Sequence, residues 1–289
     1  MKRAPLPVRD GLGPARVRLH GGPVLDELTA RFGPDARAKV LAGEVVTADG
    51  AVVDETTALA PHSHVYLYRD LPDEVEVPFG IPVLHRDDAI VIVDKPHFLA
   101  TMPRGRHVAQ TALVRLRREL DLPELSPAHR LDRLTAGVLM FTVRRELRGR
   151  YQALFARGEV RKTYLAAAQG VSQVQLPTVI RDRIVKRRGV LQAAVEPGEP
   201  NAETHIEALG DSLYRLTPRT GRTHQLRVHM ASIGLPIVGD PLYPIVIDVA
   251  VADFSAPLRL VAHSLEFDDP VTGERRSFVS SRIPQPITV

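Results

Sequence analysis

The pattern of apolar and polar positions in the first seventy residues predicts a small mixed unit. Residues 24–32 place apolar side chains at helical spacing, and a Gly-Pro pair follows them, which indicates the end of a helix. The segment 44–53 alternates around Asp49-Gly50, a pair that favours a hairpin turn, and 64–70 has the pattern of a last strand. A small α/β module is therefore expected at the N-terminus.

A second domain is predicted after a proline-bearing linker at 71–82, so we expect a module over 1–75 and a larger domain over 76–289. Buried-type strands, a hairpin and amphipathic helices follow one another there without strict alternation. This favours an α+β fold with a mixed, largely antiparallel sheet flanked by helices. The predicted strands are 89–94, 137–143 and 162–170, the hairpin is 203–218, and the helices are 110–120, 146–158 and one capped by Thr223 that stops at Gly234.

Composition narrows the protein class without naming a function. The chain has 289 residues, of which 44% are hydrophobic, and it contains no cysteine, so disulfides and thiolate metal sites are excluded. The N-terminus has no apolar signal-peptide region, and no apolar run is long enough to span a bilayer. We therefore expect a cytoplasmic protein without membrane contact.

Charge is distributed unevenly along the chain. The formal net charge is +4, yet residues 86–188 carry 21 basic and ten acidic residues, whereas residues 24–75 carry four basic and ten acidic residues. A positive segment of this size favours a polyanion-binding face. The alternative is a chain that uses arginine freely on solvated surfaces, and charge alone leaves both interpretations open.

The stretch HRLDRLTAG, residues 129–137, places Asp132 among His129, Arg130 and Arg133. One interpretation is an aspartate that shapes a turn and pairs with a surface arginine, a contact worth about 0–1 kcal/mol. The other is a reactive carboxylate, which needs a neighbouring arginine to lower its pKa and keep it ionised. Arg222, just before a predicted helix in RTGRTHQLRVHMASIG (219–234), could supply that guanidinium.

Other chemical motifs are weaker. His224 and His229 are five residues apart, about 140° around a helix, so they do not form a zinc-binding pair, and each is expected to be a satisfied helix histidine. Tyr164 is either a core residue of a strand or a ring that stacks on an extruded base. We find neither a nucleophile elbow nor a phosphate-binding loop motif in the sequence.

Three segments together resemble one enzyme family. HRLDRLTAGVLMF, KTYLAAAQG and RTGRTHQLRVHMASIGLPIVGDPLY are similar, in order and spacing, to the signature segments of the RluA-type RNA pseudouridine synthases. VIVDKPHFLATMP resembles the strand that precedes them in that family, so the resemblance spans roughly residues 80–265. It implies an isomerase that converts a uridine within RNA to its C-glycoside isomer without a metal or cofactor.

The resemblance also implies roles for individual residues. Asp132 is the expected catalytic carboxylate, either attacking the ribose or assisting glycosidic cleavage. Tyr164 is expected to stack on the flipped uracil, and Arg222 to pair with Asp132 and keep it ionised. Further substrate contacts are expected from His129, Arg130, Arg133, Thr135 and Leu226, with Arg130 filling the gap left by the flipped base and Leu226 packing beneath the site.

Some points depart from the family or stay open. Ala136 stands where the family often has serine, and residues 24–70 faintly resemble the small RNA-binding module that often precedes such domains, although this stretch is net negative. Ribosomal RNA is favoured over transfer RNA as substrate, loops 101–110 and 181–200 are expected to set specificity, and a monomer is expected.

Two alternatives to this enzyme are kept. One is a non-catalytic RNA-binding or ribosome-assembly protein with the same fold. The other is a glycoside hydrolase, which would need a second carboxylate, such as Glu159 or Asp240, about 5–9.5 Å from Asp132.

Overall fold

The computed structural model describes residues 4–68, 70–71 and 73–286. The chain divides into two compact units, Met1–Asp73 and Glu74–Val289. The division lies two residues before the boundary expected from the linker composition.

The N-terminal unit packs two helices against short strands. Its core includes Val24 and Leu28 of the first helix and Val65 of the last strand, all fully buried. The second helix was not predicted: Pro34 begins it, because proline suits the first helical position. The elements are β1 (Ala15–Arg18), β2 (Gly22–Pro23), α1 (Val24–Phe32), α2 (Pro34–Leu41), β3 (Val46–Thr47), β4 (Ala58–Leu59) and β5 (His64–Leu67), with β1-β5-β3 in one sheet and β2-β4 in another.

The second unit is built on a ten-stranded sheet. Its strands are β6 (Val83–Arg86), β7 (Ile90–Lys95), β8 (Ser126–Pro127), β9 (Ala136–Thr142), β10 (Arg161–Ala167), β11 (Thr178–Asp182), β14 (Ala202–Gly210), β15 (Leu213–Pro218), β16 (Leu260–Asp268) and β17 (Arg275–Val279). Their order in the sheet is β11-β14-β15-β10-β16-β9-β7-β6, with β17 beside β16 and β8 beside β9. The β9–β16 pair is parallel and the other pairs are antiparallel, which confirms the predicted fold class.

The central strands β7 and β9 are buried at every position, because helices cover both faces of this sheet. Helices α3 (Ala112–Glu119) and α5 (Gln225–Ser232) contribute to the core cluster on one face, and α4 (Arg148–Arg157), preceded by the 3₁₀ turn Arg145–Leu147, contributes to that on the other. No helix in the described ranges is long and apolar enough to span a membrane.

Two local predictions were wrong. Residues 181–189, expected to form a basic loop, include the end of β11 and the strand β12 (Ile184–Val185), which pairs with β13 (Ala194–Val195). Thr223 does not cap α5: the helix begins at Gln225 after His224, whose backbone is left-handed at φ 59°, and no side-chain capping bond forms.

Candidate active site

A cavity of about 1380 Å³ opens on the second unit. Two segments supply much of its lining: residues 129–135, which we call the aspartate loop, and residues 219–224, the arginine loop. Basic side chains outnumber acidic ones in the wall, and most of them come from the positive segment 86–188 and from the arginine loop. In addition to Arg227, which is buried in a pair with Asp240, they are Arg104, Arg117, Arg130, Arg157, Lys162, Arg181, Arg219 and Arg222, beside the carboxylates Asp132 and Glu203.

The aspartate loop is fixed by buried backbone contacts. The Thr101 hydroxyl donates to the Leu131 carbonyl at 2.8 Å and accepts from the Leu131 N–H at 3.1 Å. The Thr135 N–H donates to the Asp132 carbonyl at 3.1 Å, which closes a turn around the carboxylate-bearing residue. Asp132 is therefore half-buried on a well-defined backbone.

Gly137 allows the loop to enter the sheet. It lies opposite Ala262 in the parallel β9–β16 pair with φ 111°, and a Cβ there would lie 2.2 Å from the Ala262 carbonyl oxygen. No side chain fits this approach. This close backbone contact holds the C-terminal end of the aspartate loop against β16.

Lys95 supports the loop from below. Its ammonium is fully buried and donates to the carbonyls of Pro96 at 2.9 Å, Leu99 at 2.7 Å and Arg133 at 3.3 Å. Burial lowers the pKa of Lys95 to about 7, while the negative charge of Asp132 acts in the opposite direction. The sequence reasoning missed this residue, because its partners are carbonyl groups that no residue pattern reveals.

The cations next to Asp132 in sequence do not pair with it. Arg130 is exposed, and the nearest hydrogen-bond acceptor of Arg133 is the Phe98 carbonyl, 3.5 Å from Nη1. Within the described ranges, no lysine, arginine or histidine nitrogen lies within 4.0 Å of the Asp132 carboxylate. The carboxylate therefore faces the cavity without an ion-pair partner.

His129 is held as a neutral ring. It stacks on Phe155 with centroids 4.4 Å apart, and Nε2 accepts from the Met140 N–H at 3.1 Å. Burial lowers the pKa of His129 to about 3, and the charge of Lys162 adds to the effect. His129 thus contributes an aromatic edge to the cavity and no positive charge at neutral pH.

Tyr164 lies on β10 in the same cavity as Asp132. It follows a bulge at Thr163/Tyr164 and pairs with Leu216 on one side and Ala262 on the other. Burial, and then the negative charge of Asp132, raise the pKa of its hydroxyl, so the phenol is protonated at neutral pH. Its hydroxyl has no hydrogen-bond partner among the residues that the structure describes.

Arg222 lines the cavity, but the predicted ion pair with Asp132 is not formed. Its Nε donates to the Asn201 carbonyl at 3.0 Å, and the side chain is exposed. The backbone of Arg222 is held by Gln225, because the Arg222 N–H donates to the side-chain oxygen of Gln225 at 3.0 Å.

Comparisons with known proteins identify the family once this geometry is established. A family described as RNA pseudouridylate synthase matches residues 89–232. The dual-specificity RNA pseudouridine synthase RluA of Salmonella typhi is 32% identical over 68% of this chain and 90% of its own length. The chain belongs to the RluA-type RNA pseudouridine synthases. The predicted family, enzyme class and fold class are confirmed.

Other relatives of this RluA-type chain differ in coverage. Ribosomal large subunit pseudouridine synthase D of Pseudomonas aeruginosa is 29% identical over 90% of this chain and 88% of its own length. The human pseudouridylate synthase RPUSD2 is 35% identical, but the chain spans only 31% of that protein. The solved structure of human RNA pseudouridylate synthase domain containing 1 superposes with a TM-score of 0.57 at 24% identity, covering 73% of this chain and 86% of that one.

Gln225 anchors the arginine loop of this RluA-type domain. Its buried amide oxygen accepts from the Thr220 hydroxyl at 2.7 Å and the Arg222 N–H, and its nitrogen donates to the Glu203 carbonyl and the Thr204 hydroxyl, both at 2.9 Å. All four hydrogen-bonding positions of the amide are used. Its partners on β14 are about twenty residues away in sequence, so sequence reasoning missed its role.

The prediction that His224 is a helix residue was wrong. It is the left-handed N-cap of α5 and lies at the cavity wall. Its Nδ1 lies 2.9 Å from the Tyr243 hydroxyl. Burial lowers the pKa of His224, against the opposing charges of Asp132 and Asp240. His229 is a helix residue, as expected, but it is only partly satisfied. Its Nδ1 lies 2.9 Å from the Thr204 hydroxyl, whereas the buried Nε2 has no hydrogen-bond partner among the described residues and lies 3.7 Å from an Asp182 carboxylate oxygen.

Thr135 and Leu226 also line the cavity, and both are buried. Leu226 lies one helical turn beyond Arg222, and together with Leu260 it makes an apolar wall. The structure therefore places both residues at the cavity wall, and their contact with substrate stays a prediction.

The carboxylates considered for a glycoside hydrolase are engaged elsewhere. Asp240 is fully buried in a two-bond pair with Arg227, at 2.8 and 2.5 Å, and Glu159 lies 3.2 Å from Arg157. Neither lines the cavity. Within the part of the chain that the structure describes, no cluster of three or more acidic or histidine side chains is placed to hold a metal ion.

Proposed function

We propose that this enzyme isomerises a specific uridine of ribosomal RNA to pseudouridine and that it acts as a monomer. One observation carries the proposal: a carboxylate without an ion-pair partner, Asp132, shares a basic cavity with the protonated phenol of Tyr164. A chain of phosphates fits the basic wall, and an uncharged base fits the apolar and aromatic side chains that also line the cavity.

Asp132 is the proposed catalytic residue. In the isomerisation the bond between C1′ of the ribose and N1 of uracil breaks, a bond between C1′ and C5 forms, the C5 hydrogen leaves as a proton, and N1 takes up a proton. The Asp132 carboxylate either attacks the ribose or assists cleavage of the glycosidic bond. Its half-buried position in a rigid loop supports both roles, because a positioned carboxylate loses little freedom on reaction.

Tyr164 is proposed to stack on the extruded uracil. A base inside a helix hides C1′ and C5, so the uridine must leave the stack at a cost of a few kcal/mol. The ring of Tyr164 offers an aromatic face at the site, and base stacking is worth about 1–3 kcal/mol. Since the phenol stays protonated, its hydroxyl can also donate a hydrogen bond to a group on the base.

The arginines are proposed to have different roles. Arg222 supports Asp132 when RNA is bound, after its guanidinium leaves the Asn201 carbonyl. Arg130 is exposed at the rim and fills the space that the flipped base vacates, and Arg133 and His129 support the wall around it. The remaining basic side chains bind phosphates.

The choice of ribosomal RNA rests on the relatives. The Pseudomonas aeruginosa relative that aligns over most of both chains is named for the large ribosomal subunit. We propose that loops 101–110 and 181–200 select the target site, since Arg104 and Arg181 bring both of them to the cavity wall. A cytoplasmic location remains a prediction from the sequence.

Tritium release tests the reaction. RNA transcripts labelled at C5 of uridine are incubated with the wild-type enzyme and with Asp132→Asn. Release by the wild type alone supports the reaction and the catalytic carboxylate, and ribosomal transcripts are expected to react in preference to transfer RNA. Reaction of transfer RNA alone would contradict the choice of substrate.

A non-catalytic RNA-binding protein is the competing function. It predicts salt-sensitive RNA binding with no tritium release from naked transcripts or from ribosomal particles. The particles belong in the same experiment, because a substrate that requires assembly would otherwise be mistaken for inactivity.

A further inference from the structure

We infer that a second, smaller cavity beside the aspartate loop binds one backbone phosphate of the substrate RNA, next to the target uridine. This cavity has a volume of about 160 Å³ and is lined by residues from the segments 100–107 and 130–133. The inference rests on the proposed function, because it takes RNA as the substrate and Asp132 as the residue that acts on the target nucleotide.

The two cavities adjoin along a shared wall. Both are lined by Arg104, Arg130 and Asp132, together with Met102 and Leu131. A nucleotide whose C1′ carbon lies at the Asp132 carboxylate carries a phosphate on each side of its ribose. These phosphates must lie within one nucleotide length of the aspartate loop, and the small cavity offers one of them a basic recess there.

Three guanidinium groups and one imidazole line the small cavity. Arg104 and His107 come from one turn, Arg130 and Arg133 come from the aspartate loop, and Asp132 contributes a carboxylate. Within the described ranges, none of the three guanidinium groups lies within 4.0 Å of a carboxylate. Cations that are gathered without a counter-ion are typical of an anion-binding site.

The cations of this cavity repel one another in the free protein. Burial, and then the charge of Arg106, lower the pKa of the Arg133 guanidinium. Burial also lowers the pKa of His107, the charges of Arg133 and Arg106 add to the effect, and Glu74 opposes it. A bound phosphate compensates these positive charges, so His107 should take up a proton when RNA binds. The other charged side chains at the cavity are Arg104, Arg130 and Asp132.

The turn that carries Arg104 and His107 is preorganised. The Arg104 N–H donates to the His107 carbonyl at 2.8 Å, and the His107 N–H donates to the Arg104 carbonyl at 3.2 Å. Gly105 permits this tight turn with φ 58°. The Glu74 carboxylate fixes the next segment, because it accepts from the N–H groups of residues 108–110 at 2.7–3.0 Å. Binding therefore requires little ordering of the loop.

A phosphate fits this cavity better than a base or an acidic side chain does. Guanidinium groups only donate hydrogen bonds and match phosphate oxygens in pairs, whereas a base presents donors as well as acceptors. One water needs about 10–15 Å³ of such a volume, so the cavity holds a phosphate with several waters. Because the cavity adjoins the catalytic one, its ligand belongs to the molecule that fills both, which is the substrate RNA.

RNA with a single neutral linkage tests the inference. An RNA that the full-length wild type modifies is synthesised with a methylphosphonate in place of the phosphate 5′ to the target uridine, and separately with one in place of the 3′ phosphate. We expect one of the two replacements to weaken binding by about 10-fold, the order of a hydrogen bond between charged groups. Filter binding over a range of salt concentrations measures the change.

Arg104→Gln/Arg133→Gln removes the protein side of the same contact. Binding of the all-phosphate RNA should weaken by about 10-fold, and the salt slope should fall by about 0.7, the value for one phosphate on a single strand. The two changes should not add, so the double variant should bind the sensitive methylphosphonate RNA within about two-fold of the all-phosphate RNA. Losses that multiply would overturn the inference, because the phosphate and the arginines would then belong to separate contacts.

Arg118→Gln/Arg150→Gln is the matched control. It removes two exposed arginines of α3 and α4 that line neither cavity. It should change affinity less than two-fold and keep the full sensitivity to the methylphosphonate, and thermal melting should show that both double variants fold. A loss equal to that of Arg104→Gln/Arg133→Gln would overturn the inference and indicate a general effect of net charge.

The proton on His107 gives a readout that a structural role would not change. Because the RNA-bound form binds more protons, wild-type affinity should rise as the pH falls from about 7.5 to 6, and it should rise less in His107→Gln. A phosphodiester does not titrate in this range, and the other histidines are common to both proteins. An equal pH dependence in the two proteins would overturn the contact between His107 and the phosphate.

The two proposals fail in distinguishable ways. If the wild type modifies the RNA and neither methylphosphonate weakens its binding, only the phosphate site is wrong. If the wild type neither binds nor modifies RNA, the proposed function fails, and the phosphate site fails with it.

Discussion

The two loops that line the cavity hold their charges in opposite ways. In the aspartate loop Arg133 faces the Phe98 carbonyl and His129 is an uncharged ring that accepts a hydrogen bond from the backbone, while Arg130 is exposed at the cavity wall. In the arginine loop Arg219 and Arg222 are exposed to the cavity. A reactive carboxylate benefits from a rigid setting, whereas cations that meet RNA need freedom to reach phosphates.

The aspartate loop is also held in place by more contacts than the arginine loop. The aspartate loop is held from three sides, by Thr101, by Lys95 and by the close approach of Gly137 to β16. The arginine loop depends mainly on the amide of Gln225. Disturbing each loop should therefore have distinct consequences for rate, affinity and stability.

The largest effect is expected from Asp132→Asn, which should lower the single-turnover rate by about 10⁴-fold or more. An amide neither attacks the ribose nor accepts a proton as a carboxylate does, and loss of one member of a catalytic set is of this order. Because the backbone contacts of the aspartate loop do not involve this side chain, RNA affinity should stay within a few-fold. Filter binding provides this measurement, and an equal loss of binding would make Asp132 a structural residue.

Arg222→Ala sharpens the contrast between the loops. If Arg222 supports Asp132 during the reaction, the single-turnover rate should fall by about 10²-fold while RNA affinity changes little. Its exposed position beside the Asn201 carbonyl also suits a phosphate contact. That role would instead lower affinity and the salt slope at an unchanged rate, so titration over a range of salt concentrations separates the two. Arg219→Ala is the matched control, from the same loop.

Much of the secondary structure was predictable from the sequence, because strands and helices follow from the spacing of apolar residues. The buried strand β7, the helix α4 closed by Gly158, and the close approach at Gly137 all have local causes in their own residues. The helix α2 was missed because it buries only Ala36 and Val40, which gives a weak pattern.

The site was predictable in its members but not in its contacts. Asp132, Tyr164 and Arg222 do line one cavity. The Arg222 side chain donates to the Asn201 carbonyl and its backbone is held by Gln225, while His129 is neutral because it is buried against Phe155 and the backbone of β9. These partners are set by the packing of distant segments, and residue identity alone does not specify such pairings.

Gln225→Leu tests the weaker support of the arginine loop. A leucine side chain fits this buried position, but the hydroxyls and backbone groups that the glutamine amide binds lose their partner. We therefore expect the free energy of unfolding to fall by about 2–4 kcal/mol. Urea denaturation measures the change. Gln152→Leu, at an exposed amide on α4, should cost less than about 0.5 kcal/mol. Similar losses in both variants would mean that the Gln225 contacts do not stabilise the loop.

The smallest expected effect concerns the charge beneath the aspartate loop. Burial lowers the pKa of Lys95 from 10.5 to about 7, so between these values the unfolded chain binds a proton that the folded chain does not. Stability should therefore rise with pH, by at most about 1.4 kcal/mol per pH unit. Lys162, whose pKa burial also lowers, adds in the same direction, whereas the raised pKa values of Tyr151 and Tyr164 act oppositely above about pH 10.

Urea denaturation between pH 7 and 9 isolates this contribution. The wild type should gain stability across that range, and Lys95→Met should show a flatter slope, whatever its absolute stability, because the group that releases its proton on folding is gone. A slope as steep in Lys95→Met as in the wild type would mean that Lys95 keeps its proton on folding. Its ammonium would then be compensated by the three carbonyls and by Asp132, and the aspartate loop would rest on a charged support at neutral pH.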